Sequence, residues 1–224
     1  MKDKIFLGME SSTDMISLAA LRRDKFIFSF KKKIERGASQ MPVLCSRLFK
    51  KYSLSLNDCE AVLVGAGPGS FTGLRIAYSL AKGWHCALGL TVKGRSSFDS
   101  MALQVKERFS KIAVIADARR NLIYGVTFLV RQKSLIKEGR EQLCPLSEFV
   151  SGKEEYVFVS YDLHLRDKAL ALNPDLRFYE KQVWPLIMPL LAEMPMVYNK
   201  KKRVFTPNME PLYIYPENCQ VRNV

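Results

Sequence analysis

Four small residues set the first chemical question. Gly65, Gly67, Gly69 and Ser70 lie in "AVLVGAGPGSFTGLRI", where an apolar run ends in glycines and a helical pattern begins. Strand, glycine turn and helix N-terminus is the order in which backbone N–H groups can cradle a phosphate. The match to named phosphate-binding patterns is partial. Leu74 follows Gly73 where a phosphate-loop lysine would stand, the Gly-x-Gly-x-x run ends on Ser70, and no acid near position 85 is placed to hold a ribose. The spacing also fails the Gly-x-Ser-x-Gly elbow of esterases. A second reading stays open, in which the glycines permit positive φ, Pro68 fixes a turn, and Ser70 or Thr72 caps the helix. Two acids could act as well. Glu10 and Asp117 each end an apolar segment, so they could hold a metal-nucleotide as in a phosphotransferase, or simply cap turns. Five cysteines and two histidines, His85 and His164, have no zinc-binding spacing, and no nucleophile-base pair for peptide hydrolysis is evident.

Elements must position these groups. "KIFLG" reads as a strand, "MISLAALRRDKFIFSFKKK" as two more around Arg22-Arg23-Asp24, and "MPVLCSRLFKK" as a helix with Val43, Leu44, Leu48 and Phe49 at helical spacing. "AVLVG" is a buried strand, Phe71 to Leu88 a second helix, and "LTVKG" a short extended segment. The pattern then restarts: "KIAVIADARR" and "LIYGVTFLVR" read as strands around an Arg119-Arg120-Asn121 turn, followed by "YVFVS". This implies two similarly built α/β lobes, 1–108 and 109–224, with the last helix free to pack back on the first lobe. An interrupted helix, limited by Pro185 and Pro189, is expected within "PDLRFYEKQVWPLIMPLLAEMP".

The Phe71 to Leu88 helix is apolar nearly all round. Phe71, Leu74, Ala77, Tyr78 and Ala81 form one stripe, and Ile76, Leu80, Gly83 and Trp84 extend it, leaving Arg75, Ser79 and Lys82 as the main polar positions. Such a helix is either sandwiched inside its own fold or packed against a partner.

With 224 residues, 48% of them hydrophobic, the chain can bury a sizeable core. Its net charge of +13 favours acidic partners, RNA or a negative protein face. Lys31-Lys32-Lys33, Arg119-Arg120 and Lys200 to Arg203 are candidate phosphate contacts, with Tyr213 or Tyr215 to stack, although no RNA-binding module is recognisable. No apolar run reaches the roughly 18 residues of a membrane span, so a cytoplasmic location is expected.

The segment "GPGSFTGLRI", followed by Ala81-Lys82-Gly83, resembles the signature of the TsaB or YeaZ-like family. "GRSSFDSMA" at 94–102 and "DARRNLIY" at 117–124 are similar to further family segments in the same order, and "EPLYIYP" matches the family's ending more loosely. The resemblance implies an actin-like or sugar-kinase-like ATPase fold of two RNase H-like lobes. It also implies an accessory role in N6-threonylcarbamoyladenosine formation at adenine 37 of tRNAs. The catalyst would be a TsaD-like partner, which carries the His-x-x-x-His metal motif that this chain lacks. On this reading no cofactor is required by the chain itself, and ATP and a metal belong to partner enzymes, including a TsaE-like ATPase, with tRNA entering through the complex. The partner surface would be two helices, Pro42 to Lys51 and Phe71 to Leu88, presenting Val43, Leu44, Arg47, Leu74, Arg75, Tyr78 and Lys82; a homodimer could form in isolation. Tyr78→Glu is then expected to abolish partner capture in a chain that still folds. Three departures stand out: Glu10-Ser11-Ser12 replaces the family's Asp-Thr-Ser, Ala66 replaces an arginine before the glycine turn, and Asn121 replaces a turn glycine. They weaken nucleotide binding, through Glu10, Gly67, Gly69, Ser70 or Asp117, more than they weaken scaffolding.

Overall fold

The computed structural model describes residues 4–35, 37–194, 210–212 and 214. The basic run Lys200 to Arg203, Tyr213 and Tyr215 lie outside them. The described chain forms two compact units, one from 4–104 with 184–194, the other from 105–183. The first break thus falls at Gln104, slightly before the boundary expected from sequence, and the chain re-enters the first unit at Trp184.

In the first unit, β1 (Ile5–Glu10), β2 (Met15–Arg22) and β3 (Lys25–Lys33) form an antiparallel meander. The helix α1 (Met41–Lys51) follows, then β4 (Cys59–Gly65), α2 (Phe71–Leu88), β5 (Thr91–Arg95) and α3 (Ser97–Leu103). β4 joins β1 in parallel and β5 joins β4 in parallel, giving the order β3-β2-β1-β4-β5. Both faces of β1 are buried, so its sequence is continuously apolar rather than alternating. Phe6, Ala19, Leu21 and Leu63 pack on one face against α6 (Ile187–Ala192). Leu7, Met9 and Leu18 face Cys45 and Phe49 of α1 and Trp84 of α2. A side chain at Gly8 would collide with Ile187, so glycine is what lets α6 seat there.

The second unit contains β6 (Lys111–Arg119), β7 (Leu122–Arg131), β8 (Ser134–Pro145), α4 (Leu146–Val150), β9 (Val157–Val159), α5 (Leu163–Leu172) and β10 (Arg177–Phe178). Its sheet order is β10-β9-β6-β7-β8, with an antiparallel β6-β7-β8 meander and parallel β9 and β10. Renumbered within the unit, this is the first sheet's order again. Both units therefore have the RNase H-like topology expected of the actin-like and sugar-kinase-like architecture. The core here joins Ala113, Ile115, Ile123 and Phe158 of the sheet to Phe149 of α4 and Leu165 of α5.

One expectation is corrected. The segment 174–195 is not one interrupted helix: Arg177–Phe178 pairs with β9 as a strand, and helix begins only at Ile187. Pro189 stands in the first turn of α6, where its missing N–H breaks no helical bond. Among the described residues no helix is long and apolar enough to cross a membrane.

Candidate functional site: a closed glycine turn and the helix it launches

The end of β1, the β4–α2 turn and the start of α3 converge around Glu10. Its carboxylate is fully buried. Ser12 N–H donates to Oε1 at 2.7 Å and Ser97 Oγ–H donates to Oε2 at 2.7 Å. The same Ser97 hydroxyl accepts from Gly67 N–H at 3.1 Å, and Ser97 N–H donates to Gly67 O at 2.8 Å. A serine thus ties the acid to the turn by three bonds. Burial pushes the Glu10 carboxyl above its ordinary value of 4.5, outweighing the hydrogen bonds from Ser12, Ser97 and the Ser11 backbone that favour its charge.

The β1–β2 turn clamps the start of α2. Ser70 N–H donates to Ser12 O at 2.7 Å, and Ser11 Oγ–H donates to Gly73 O at 2.9 Å. Ser70 is the N-cap, its Oγ accepting from Gly73 N–H at 3.3 Å. Close approach explains the glycines: a Cβ at Gly65 would overlap the Glu10 carboxylate, at Gly69 the Ser12 carbonyl, and at Gly73 the Ser11 carbonyl. Gly67 adds a φ of 91°, a left-handed value that other residues rarely adopt.

Two donors of the turn are committed inside the unit, Gly67 N–H to Ser97 Oγ and Ser70 N–H to Ser12 O, and the Glu10 carboxyl lies against Gly65. Both Glu10 oxygens accept hydrogen bonds from within the unit. Asp117, in the other unit, is exposed and accepts from Arg119 N–H at 3.1 Å, holding the β6–β7 turn. There Asn121 takes a φ of 62°. His85 Nδ1 lies 2.8 Å from Leu90 O, a helix-end contact. Among the described residues no cluster of three potential metal ligands occurs.

The sequence missed Ser97, the centre of this network. Its only signal was the Gly94-Arg95-Ser96-Ser97 segment, and the short α3 it starts shows too little periodicity to be read.

The two outer helices pack through Phe49 and Trp84, whose ring centroids are 5.9 Å apart. Leu74, Ala77, Tyr78 and Ala81 face inward, and the Tyr78 hydroxyl fills the space over Gly94. Leu74 and Tyr78, each 2% exposed, therefore belong to this chain's core and not to an outer surface. The expectation that Tyr78→Glu would leave the fold intact is overturned with them, since it would bury a carboxylate. Outward on α2 stand Phe71, Arg75, Ser79, Lys82, Gly83 and Cys86. Arg75 stacks its guanidinium over the Phe71 ring at 3.7 Å. On α1, Val43 and Arg47 are exposed and Leu44 half-buried. Of the seven surface residues expected from sequence, then, four are outward, one is intermediate and two are core.

A family model described as "TsaD: tRNA N6-adenosine threonylcarbamoyltransferase" matches residues 35–166, more than half of the chain. The tRNA threonylcarbamoyladenosine biosynthesis protein TsaB of Bacillus subtilis is 25% identical over 170 residues, covering 73% of this chain and 74% of that protein. The chain belongs to this family, among its TsaB (YeaZ-like) members. The Haemophilus influenzae TsaB is 29% identical over 135 residues, covering 59% of the chain and 57% of that protein. In fold, YeaZ from Pseudomonas aeruginosa superposes with a TM-score of 0.78 at 20% identity, over 93% of this chain and all of that one.

Proposed function

We propose that this chain is an accessory subunit in the formation of N6-threonylcarbamoyladenosine at adenine 37 of tRNA, acting by binding and orienting a TsaD-like enzyme rather than by making or breaking bonds. It requires no cofactor of its own on this reading; ATP and metal chemistry belong to its partners, among them a TsaE-like ATPase. The names of the B. subtilis and H. influenzae relatives support the pathway. The observation that carries the docking surface is Gly83. It lies inside an eighteen-residue helix, is exposed, and a Cβ there would meet nothing within 4 Å. Mid-helix glycine costs about 1 kcal/mol relative to alanine, and among the described residues no packing requires it. Close approach of a partner's backbone supplies the reason.

Orientation is the contribution such a subunit makes, since a small misplacement of reacting groups can cost orders of magnitude in rate. Gly83→Leu tests the surface. The variant is expected to melt no lower than wild type, because leucine favours helix and the site is open, yet to bind the same organism's TsaD-like protein at least about tenfold more weakly when bulk blocks the contact. Wild-type capture by Gly83→Leu would count against the proposed face.

A further inference from the structure

The β6–β7 turn places arginine where the backbone resists it. Arg120 and Asn121 form a two-residue hairpin loop between Arg119 and Leu122, and Arg119, Arg120 and Asn121 take φ values of 67°, 52° and 62° in succession. Positive φ at both loop residues marks the hairpin turns that favour Asn-Gly, because most side chains crowd their own backbone at these angles. Asn121 suits its place; the two arginines do not. The ladder also slips between Asp117 and Arg119, the kind of bulge that re-aims the side chains beyond it. Both arginines are exposed, and among the described residues neither is in an ion pair. Asp117, the acid nearest in sequence, accepts from the Arg119 backbone N–H and so holds the turn's shape.

The β7–β8 turn, at the opposite end of β7, gives a comparison. Gln132 and Lys133 also have positive φ, 49° and 62°, but those two positions carry one cation and no guanidinium. A conformation that costs stability persists where something else requires it. Two neighbouring guanidinia at a hairpin tip offer forked donors, the geometry that meets phosphate oxygens two at a time. We infer that Arg119 and Arg120, at the β6–β7 tip, are this chain's own contact for the phosphodiester backbone of RNA. Around them the tip has no exposed apolar side chain: Ala118 is buried, Leu122 half-buried, and Asp117 and Asn121 are polar. A protein partner would use an apolar centre, whereas a phosphate backbone uses only the charge and the donors. Such a contact positions a nucleic acid without reading its sequence. The inference rests on the accessory reading only for which RNA is meant, tRNA; it goes beyond that reading in giving this chain a hold on the RNA itself.

Fluorescence anisotropy of labelled, unmodified tRNA titrated with the full chain at low salt tests this. Wild type is expected to bind, with log affinity falling steeply against log salt. Arg119→Asn/Arg120→Asn removes both guanidinia and puts at each position a residue that tolerates left-handed angles. This pair is expected to melt no lower than wild type, to bind tRNA at least about tenfold more weakly, and to flatten the salt slope by about 1.5. Arg119→Lys/Arg120→Lys keeps the charge without the fork, and recovers part of the affinity. Arg131→Gln/Lys133→Gln removes the same charge at the other end of β7, and tRNA binding is expected to be unchanged.

No tRNA binding by wild type at low salt, or equal binding by the asparagine pair, would overturn the inference. So would an equal loss in Arg131→Gln/Lys133→Gln, which would reduce the attraction to net charge alone. A lowered Tm in the asparagine pair would give the arginines a structural task in their own turn and overturn it as well. Binding of ATP or pyrophosphate that the pair weakens while tRNA binding is kept would make the tip a small-anion site. Capture of the TsaD-like protein that the pair abolishes, again with tRNA binding kept, would make it a protein contact; either result overturns the assignment to RNA. The accessory reading fails on a different result: a wild-type chain that binds tRNA through these arginines yet never captures the TsaD-like protein would sink that reading and leave this inference standing.

Discussion

Glu10 is an acid whose surroundings work against its charge. Its carboxyl is raised above 4.5, chiefly by burial. Below that ordinary value the group is protonated in both folded and unfolded chains. As pH rises through it, the unfolded chain releases its proton first while the folded one still holds it, so this group's contribution to stability falls until the folded carboxyl also ionises. Glu10→Gln removes that contribution. Melting curves are expected to show the wild type losing stability relative to Glu10→Gln as pH climbs from about 4.5, and parallel pH profiles for the two would show that Glu10 is not held in this way. Tyr78 belongs to the same scale. Tyr78→Glu loses a buried ring at a cost of roughly 3–5 kcal/mol, with an unpaired carboxylate added, so circular dichroism should find it largely unfolded at a temperature where wild type is native. A Tyr78→Glu chain with native melting would put that side chain on the surface after all.

The second helix was legible at both ends but not in phase. Ser70 as cap and Gly89, left-handed at a φ of 69°, bound it at Phe71 and Leu88. Because apolar residues surround it, periodicity alone could not say which side its own sheet takes, and the partner surface implied by the family resemblance is what set Leu74 and Tyr78 outward. The sheet chose them, leaving Phe71 outside. Other elements were missed for want of signal: β8 is an edge strand rich in charge, and α5 alternates charge and leucine with little amphipathicity. The exposed face offers a chemical probe of its own. Cys86 points outward, whereas Cys45, Cys59 and Cys144 are buried, the thiols of Cys45 and Cys59 being pushed up to about 12 by burial. An alkylating reagent at neutral pH should therefore modify Cys86 before those three, and a bound TsaD-like protein should slow that modification. Undiminished alkylation of Cys86 in a saturated complex would place the partner elsewhere.

At the scale of the molecule, the restart of the pattern after residue 109 made two α/β lobes readable, and the strand orders β3-β2-β1-β4-β5 and β10-β9-β6-β7-β8 bear this out. What could not be read was the closing of the first lobe's glycine turn, because it depends on contacts between residues as distant as Glu10 and Ser97. Those contacts hold Glu10 and Ser97 against the glycine turn, and the proposed function places the chain's action on the outer helices. The direct measurement is tRNA adenine 37 modification reconstituted from the same organism's components, with this chain as wild type, Gly83→Leu, Glu10→Gln or omitted. The account predicts full modification with wild type and with Glu10→Gln, and little with Gly83→Leu or without the chain. Modification that survives omission, or that Glu10→Gln abolishes while capture of the TsaD-like protein is intact, would contradict it.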